Sequence, residues 1–170
     1  NPSELRRIAD VADKYNVPLV KVTGGQRIDL LGIKKEDLPK VWGDLDMPSG
    51  FAYGKSMRTV KTCVGSDFCR FGLGDSTALG IALEERFQGL ETPAKLKLAV
   101  AGCPRNCSEA LCKDFGVVSV GEDRWEIYVG GAAGAHIRKG DLLATVTGAE
   151  EVMTVAGRFI QHYREKAQWL

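Results

Sequence analysis

The chain has 170 residues, 44% of them apolar and 26% charged, with a formal net charge of +1. This balance belongs to a globular protein with one good core or two small ones and excludes a disordered chain. A near-zero charge gives no reason to expect a nucleic-acid partner, which goes with a strongly basic domain.

No apolar run approaches the roughly 20 residues of a bilayer span, and no secretory pattern opens the sequence, so a cytoplasmic protein with no membrane partner is expected. The chain begins at Asn1, without an initiator Met and directly in a helical pattern, which reads as a segment of something larger. Ser3 is placed to cap a helix with Leu5, Ile8, Ala9 and Ala12 at helical spacing. Val17 to Thr23 and Arg27 to Leu31 read as strands about a Gly24-Gly25 turn, and Lys34 to Leu45 as a second helix broken or restarted near Pro39. A further strand is expected near Phe51, after turn formers at 47–50 that suit a domain boundary. Helix, strand, turn, strand, helix is compatible with a ferredoxin-like α+β arrangement.

Beyond the boundary, Met57 to Cys63 reads as a strand, and Asp75 or Ser76 can cap a helix to about Gln88. Lys95 to Ala101 reads as a strand with one wet and one buried end, and Ser108 as the cap of a short helix through Lys113. Val117 to Gly121 and Trp125 to Val129 form a hairpin, 130–134 a glycine-rich loop, and Glu150 to Ala167 an amphipathic helix carrying Val152, Val155, Phe159, Ile160 and Tyr163 on one face.

Four of the five cysteines form two pairs. Cys63 and Cys69 bound Cys-Val-Gly-Ser-Asp-Phe-Cys, and Cys103 and Cys107 lie in Gly-Cys-Pro-Arg-Asn-Cys. Without secretory signals, metal binding suits such pairs better than disulfides. A cubane iron-sulfur cluster takes four thiolates, one per iron. Structural zinc also takes four, though usually from C-x2-4-C pairs narrower than the first pair here; plain buried or disulfide-bonded cysteines are the third reading of the spacing. Cys112 reads as a small buried hydrophobe. Arg27, Arg58, Lys61, Arg70, Arg105 and Lys113 lie close to the motifs, although any one of them taken singly is ordinary surface charge. The two histidines, His136 and His162, and the carboxylates form no acid-base pair.

The C-x5-C pair followed by G-C-P-x-x-C resembles the signature of the sirohaem-containing nitrite and sulfite reductases. Arg58-Thr-Val-Lys-Thr-Cys63, Lys95-Leu-Lys97 and Gly130-Gly131 are similar to segments of that family. The resemblance covers nearly the whole chain, and within the family it is greatest to the NAD(P)H-dependent nitrite reductases. It implies an α+β fold: a small ferredoxin-like half-domain over 1–52, then an α/β sirohaem and iron-sulfur domain over 53–170. It implies a 4Fe-4S cluster on Cys63, Cys69, Cys103 and Cys107, with Cys107 also bridging to sirohaem. Arg105, Asn106, Gly130 and Gly131 would contact the sirohaem, Gly134 belonging to the same loop, and Arg58, Lys95, Lys97 and Arg27 would act on the anion.

The implied reaction is six-electron reduction of nitrite to ammonia. Sulfite reduction, a cluster-only electron-transfer module and a zinc-stabilised interaction domain are the alternatives. No G-x-G-x-x-G follows a predicted strand, so FAD and NAD(P)H are expected in a flavoprotein segment of the parent chain. Many family members have Thr-Thr-Arg-Gln where this chain has Thr23-Gly24-Gly25-Gln26-Arg27, a one-place displacement that reverses facing on a strand. Many also carry two tandem copies, cysteines in one and anion-binding cations largely in the other. One copy holding both sets implies either a homodimer with each site completed across an isologous interface or a second half supplied by another part of the parent chain.

Overall fold

The computed structural model describes residues 1–52 and 54–169; the expected limits of the second domain, 53 and 170, lie outside the described residues. The chain forms two compact units, Asn1–Gly50 and Phe51–Leu170.

In the first unit α1 (Pro2–Lys14) is capped by Asn1 and not by Ser3. The Asn1 carboxamide oxygen accepts from the N–H groups of Ser3 at 3.0 Å and Glu4 at 3.2 Å, satisfying donors that a helix start leaves open. Of the expected stripe, Leu5 is exposed, and burial falls on Val11 and Ala12. β1 (Leu19–Val22) and β2 (Ile28–Leu31) pair antiparallel, with Leu19 opposite Leu31. A 3-10 turn over Lys35–Asp37 leads into α2 (Leu38–Leu45), where Pro39 occupies a first-turn position that needs no N–H. Val11, Val41 and Leu45 form the core, joined by Ile8, Tyr15, Leu30 and Ile33.

The strand expected near Phe51 does not form. Phe51 has a φ of +48°, a left-handed conformation that breaks extension, and Ser56 and Met57 make only isolated bridges, to Glu91 and Leu96.

The second unit runs β3 (Lys61–Thr62), α3 (Gly65–Phe68), α4 (Ser76–Phe87), β4 (Leu98–Ala101), β5 (Phe115–Gly121), β6 (Arg124–Val129), β7 (Ala132–Ala133), β8 (Ile137–Arg138), β9 (Asp141–Thr147) and α5 (Gly148–Lys166). Its main sheet has the order β3-β4-β5-β6-β9, parallel from β3 to β5 and antiparallel from β5 to β9. Asp75 caps α4 through Ala78 N–H, at 2.9 Å.

Two expected strands are shorter than the pattern suggested. β4 starts at Leu98 because the Lys97 N–H is taken by the Asp114 carboxylate at 2.7 Å. Before β3, the Arg58 N–H reaches Leu96 O at 2.9 Å, outside any regular ladder. Ser108 caps nothing: the helix expected there is a 3-10 turn, Ala110–Cys112, entered from Glu109 in a left-handed conformation. β9 was not expected, nor was α3 inside the first cysteine loop.

The sheet buries both faces of β4. Leu98 and Val100 join Phe115, Val117, Trp125 and Ile127 beneath Leu79 and Leu83 of α4 and Val152, Ala156 and Ile160 of α5. Ala99, Ala101 and Val118 face the other way, against Ala110 and Leu111. Period-two alternation therefore separates large from small residues, and the small ones let the segment after the second cysteine pair lie flat on the sheet.

Candidate metal centre

β3 and β4 are parallel neighbours, Thr62 opposite Val100, so both cysteine loops leave the sheet at the same end. Cys63 follows the last residue of β3, and Gly102-Cys103 follow the last residue of β4. Gly102 ties the loops together. Its carbonyl accepts from Leu73 at 2.7 Å and Gly74 at 3.1 Å, and its N–H donates to Cys63 Sγ at 3.1 Å.

The N-terminus of α4 holds Cys63 from the other side. Ser76 Oγ donates to Cys63 O at 2.9 Å and lies 3.2 Å from Cys63 Sγ; Thr77 Oγ1 donates to Cys63 O at 3.2 Å. Burial would push the Cys63 thiol up, but Ser76 and the backbone N–H groups of Gly102 and Gly65 outweigh it and hold the group below the ordinary cysteine range. Sequence reasoning saw Ser76 only as a possible helix cap and Thr77 not at all. The signal available was a Ser-Thr pair at the start of the helix that follows the first loop.

The remaining cysteines differ in exposure. Cys103 is buried, Cys69 and Cys112 are half-buried and Cys107 is exposed, and all five are free thiols. The Phe71 ring of the first loop lies 3.8 Å from the guanidinium of Arg105 in the second, a second link across the loops, and 4.6 Å from that of Arg70. Asn106 has a φ of +57°, and its side chain accepts from Leu111 N–H at 3.1 Å, fixing the turn before Cys107. Among the described residues, no three His, Cys, Asp or Glu side chains converge tightly enough to ligate one ion. Structural zinc needs four sulfurs roughly 3.8 Å apart around a single centre. A cubane takes one thiolate per iron. Backbone N–H donation to a ligating sulfur fits the same centre.

Lys61 and Lys113 converge on Glu109, at 3.1 and 3.0 Å, with only 17% and 12% of their side chains exposed. Lys113 first and Lys61 second hold the Glu109 carboxyl below the ordinary carboxylate range. Glu109 and Lys113 lie on the segment joining the second cysteine pair to β5, and Lys61 lies on β3.

The other expected cations stand elsewhere. Arg58 is buried, Lys95 and Lys97 are exposed, and all three precede the paired strands. They occupy the end of β3 and β4 opposite the cysteine loops. Gly102 lies five residue steps of extended chain beyond Lys97, a span of roughly 16 Å. Gly130 and Gly131 lie at the Lys97 end too, since Val129 pairs with Phe115 and Phe115 with Leu98. Gly131 N–H donates to Lys113 O at 2.8 Å, and a Cβ there would come within 2.7 Å of that oxygen, so close backbone approach already requires this glycine. Gly134 has open space about it. In the first unit Arg27 is half-buried along Gly50, its N–H 3.2 Å from Thr23 Oγ1.

Two cysteine-bearing loops leave one end of a parallel strand pair, and Cys63 there lies under backbone and hydroxyl donors. The chain belongs to the nitrite and sulphite reductase family. Residues 53–169 match its 4Fe-4S domain and residues 1–48 its ferredoxin-like half domain. The chain is 65% identical over 170 residues to the nitrite reductase (NAD(P)H) of Bacillus subtilis (strain 168), covering all of this chain and 21% of that protein. It is 38% identical over 166 residues to the assimilatory-type sulfite reductase of Nitratidesulfovibrio vulgaris, covering 98% of this chain and 76% of that protein. The crystal structure of dissimilatory sulfite reductase I superposes with a TM-score of 0.87 at 18% identity, over 99% of this chain and 61% of that one, a likeness of fold. The chain thus spans about a fifth of the B. subtilis nitrite reductase that it matches.

Proposed function

We propose that the second unit holds a 4Fe-4S cluster on Cys63, Cys69, Cys103 and Cys107 with sirohaem beside it, as the catalytic portion of a reductase that takes nitrite to ammonia. The observation that carries this reading is the stitching of both cysteine loops by Gly102, whose N–H already donates to Cys63 Sγ. When bound, the two groups would supply single-electron chemistry at iron. The chain's own residues hold and shield them. Cys103 anchors from the buried side, and exposed Cys107 is the thiol a second group can reach, in keeping with a shared ligand. Lys61, Lys113, Arg105 and Asn106 surround the second loop and suit the carboxylates of sirohaem; Gly130 and Gly131 close the segment behind it.

Arg58, Lys95 and Lys97 neutralise the anion, polarise its N–O bonds and relay protons, and Arg27 is the fourth member of that set. Their distance from the cysteine loops of the same chain supports a site completed by a second copy, hence a homodimer. A rival is another part of the parent chain in that role. FAD and NAD(P)H belong to a flavoprotein segment of the parent, and the protein works in the cytoplasm. Among the described residues no helix is long and apolar enough to cross a membrane.

Sulfite is the second reading, favoured by the likeness to an assimilatory-type sulfite reductase. Turnover of the two anions by the purified full-length protein separates them: ammonia formed from nitrite much faster than sulfide from sulfite supports the assignment, and the reverse preference sinks it.

A further inference from the structure

Ser76 is wholly buried, and its one hydroxyl proton has two acceptors within reach, Cys63 O at 2.9 Å and Cys63 Sγ at 3.2 Å. When Cys63 is a neutral thiol both atoms are served, because Ser76 donates to the carbonyl and S–H donates back to Ser76 Oγ. A metal-bound sulfur has no proton to give and carries negative charge that attracts donors. Gly102 N–H supplies one donor at 3.1 Å. Thr77 Oγ1, 3.2 Å from the same carbonyl, keeps that acceptor satisfied if Ser76 turns away.

We infer that Ser76 is a positioning residue for electron transfer: its hydroxyl turns from Cys63 O to Cys63 Sγ when that sulfur ligates the cluster, and the bond raises the cluster's reduction potential. The inference rests on the cluster reading proposed above. The physical reason is charge. Reduction adds an electron that is partly borne by the ligating sulfurs, so a donor on sulfur favours the reduced state, and hydrogen bonds to sulfur are among the levers that set such potentials. Thr77 acts one step further out. By occupying Cys63 O it releases the Ser76 proton for sulfur.

The test is an anaerobic reductive titration of the full-length holoprotein, followed by electron paramagnetic resonance, for wild type, Ser76→Ala and Thr77→Ala. At the ambient potential where half of the wild-type cluster is reduced, Ser76→Ala should show a reduced-to-oxidised ratio roughly three- to tenfold lower, tenfold being 59 mV for one electron. Thr77→Ala should shift the same way by less, because the carbonyl reclaims the Ser76 proton. A full cluster complement in Ser76→Ala with an unchanged midpoint overturns the inference. Should Ser76→Ala fail to retain its cluster, Thr77→Ala decides: a lowered midpoint supports the account and an unchanged one refutes it. Wild-type protein lacking iron and labile sulfide would instead defeat the cluster reading, a distinguishable failure.

Discussion

At position 102 a side chain has nowhere to go: an added Cβ would stand 2.8 Å from Gly65 Cα and 2.9 Å from Gly74 O, both backbone atoms. The contact that excludes a side chain also brings the two cysteine loops within hydrogen-bond reach. Gly102→Ala should therefore part the loops while leaving the sheet formed, with cluster content falling severalfold and far-ultraviolet circular dichroism unchanged; full cluster content would show that the loops need no such contact. Asp114 makes a different residue-scale prediction. Burial raises its carboxyl above the ordinary 3.8, against the opposing Lys97 N–H and the charges of Lys97 and Lys113. The folded state thus binds the proton more tightly than the unfolded one, and this contribution to stability, complete below about 3.8, is lost as pH rises through the higher folded value. Asp114→Asn cannot titrate. Its urea midpoint relative to wild type should move in its favour across that window, and a pH-independent difference would contradict the assignment.

Helix α4 joins the core to the candidate site. Leu83 is fully buried against the sheet, and the start of the same helix carries Ser76 and Thr77 to Cys63. Leu83→Ala should cost about 2–5 kcal/mol in denaturant unfolding, the range for a buried leucine. α1, α2, α4, α5 and the β5–β6 hairpin were legible in the sequence because each carries its own cap, period or turn. Other elements were not. β9 lies at the sheet edge with Leu142 and Leu143 half exposed, so burial leaves little alternation to read. The cysteine pairs were legible from spacing, but the Gly102 and Ser76 contacts with Cys63 depend on β3–β4 pairing and on where α4 begins, and neither is a local property. The same pairing put Lys95 and Lys97 at the far end of β4, a separation that sequence distance conceals.

At the scale of the whole molecule, two sets of chemically apt residues lie at opposite ends of the same strands. If a second copy completes each site, a cysteine-dead chain and a Lys95→Met, Lys97→Met chain should complement one another when hybrid dimers form in the full-length protein. Recovered nitrite turnover supports sharing, and none despite demonstrated hybrids argues for another part of the parent chain. The account depends first on what the four cysteines bind. Anaerobic analysis of iron, acid-labile sulfide and zinc in the purified chain, read with its visible spectrum, tests that most directly. The account predicts about five irons per chain, four from the cluster and one from sirohaem, with about four sulfides and sirohaem bands; one zinc per chain and no labile sulfide would contradict it.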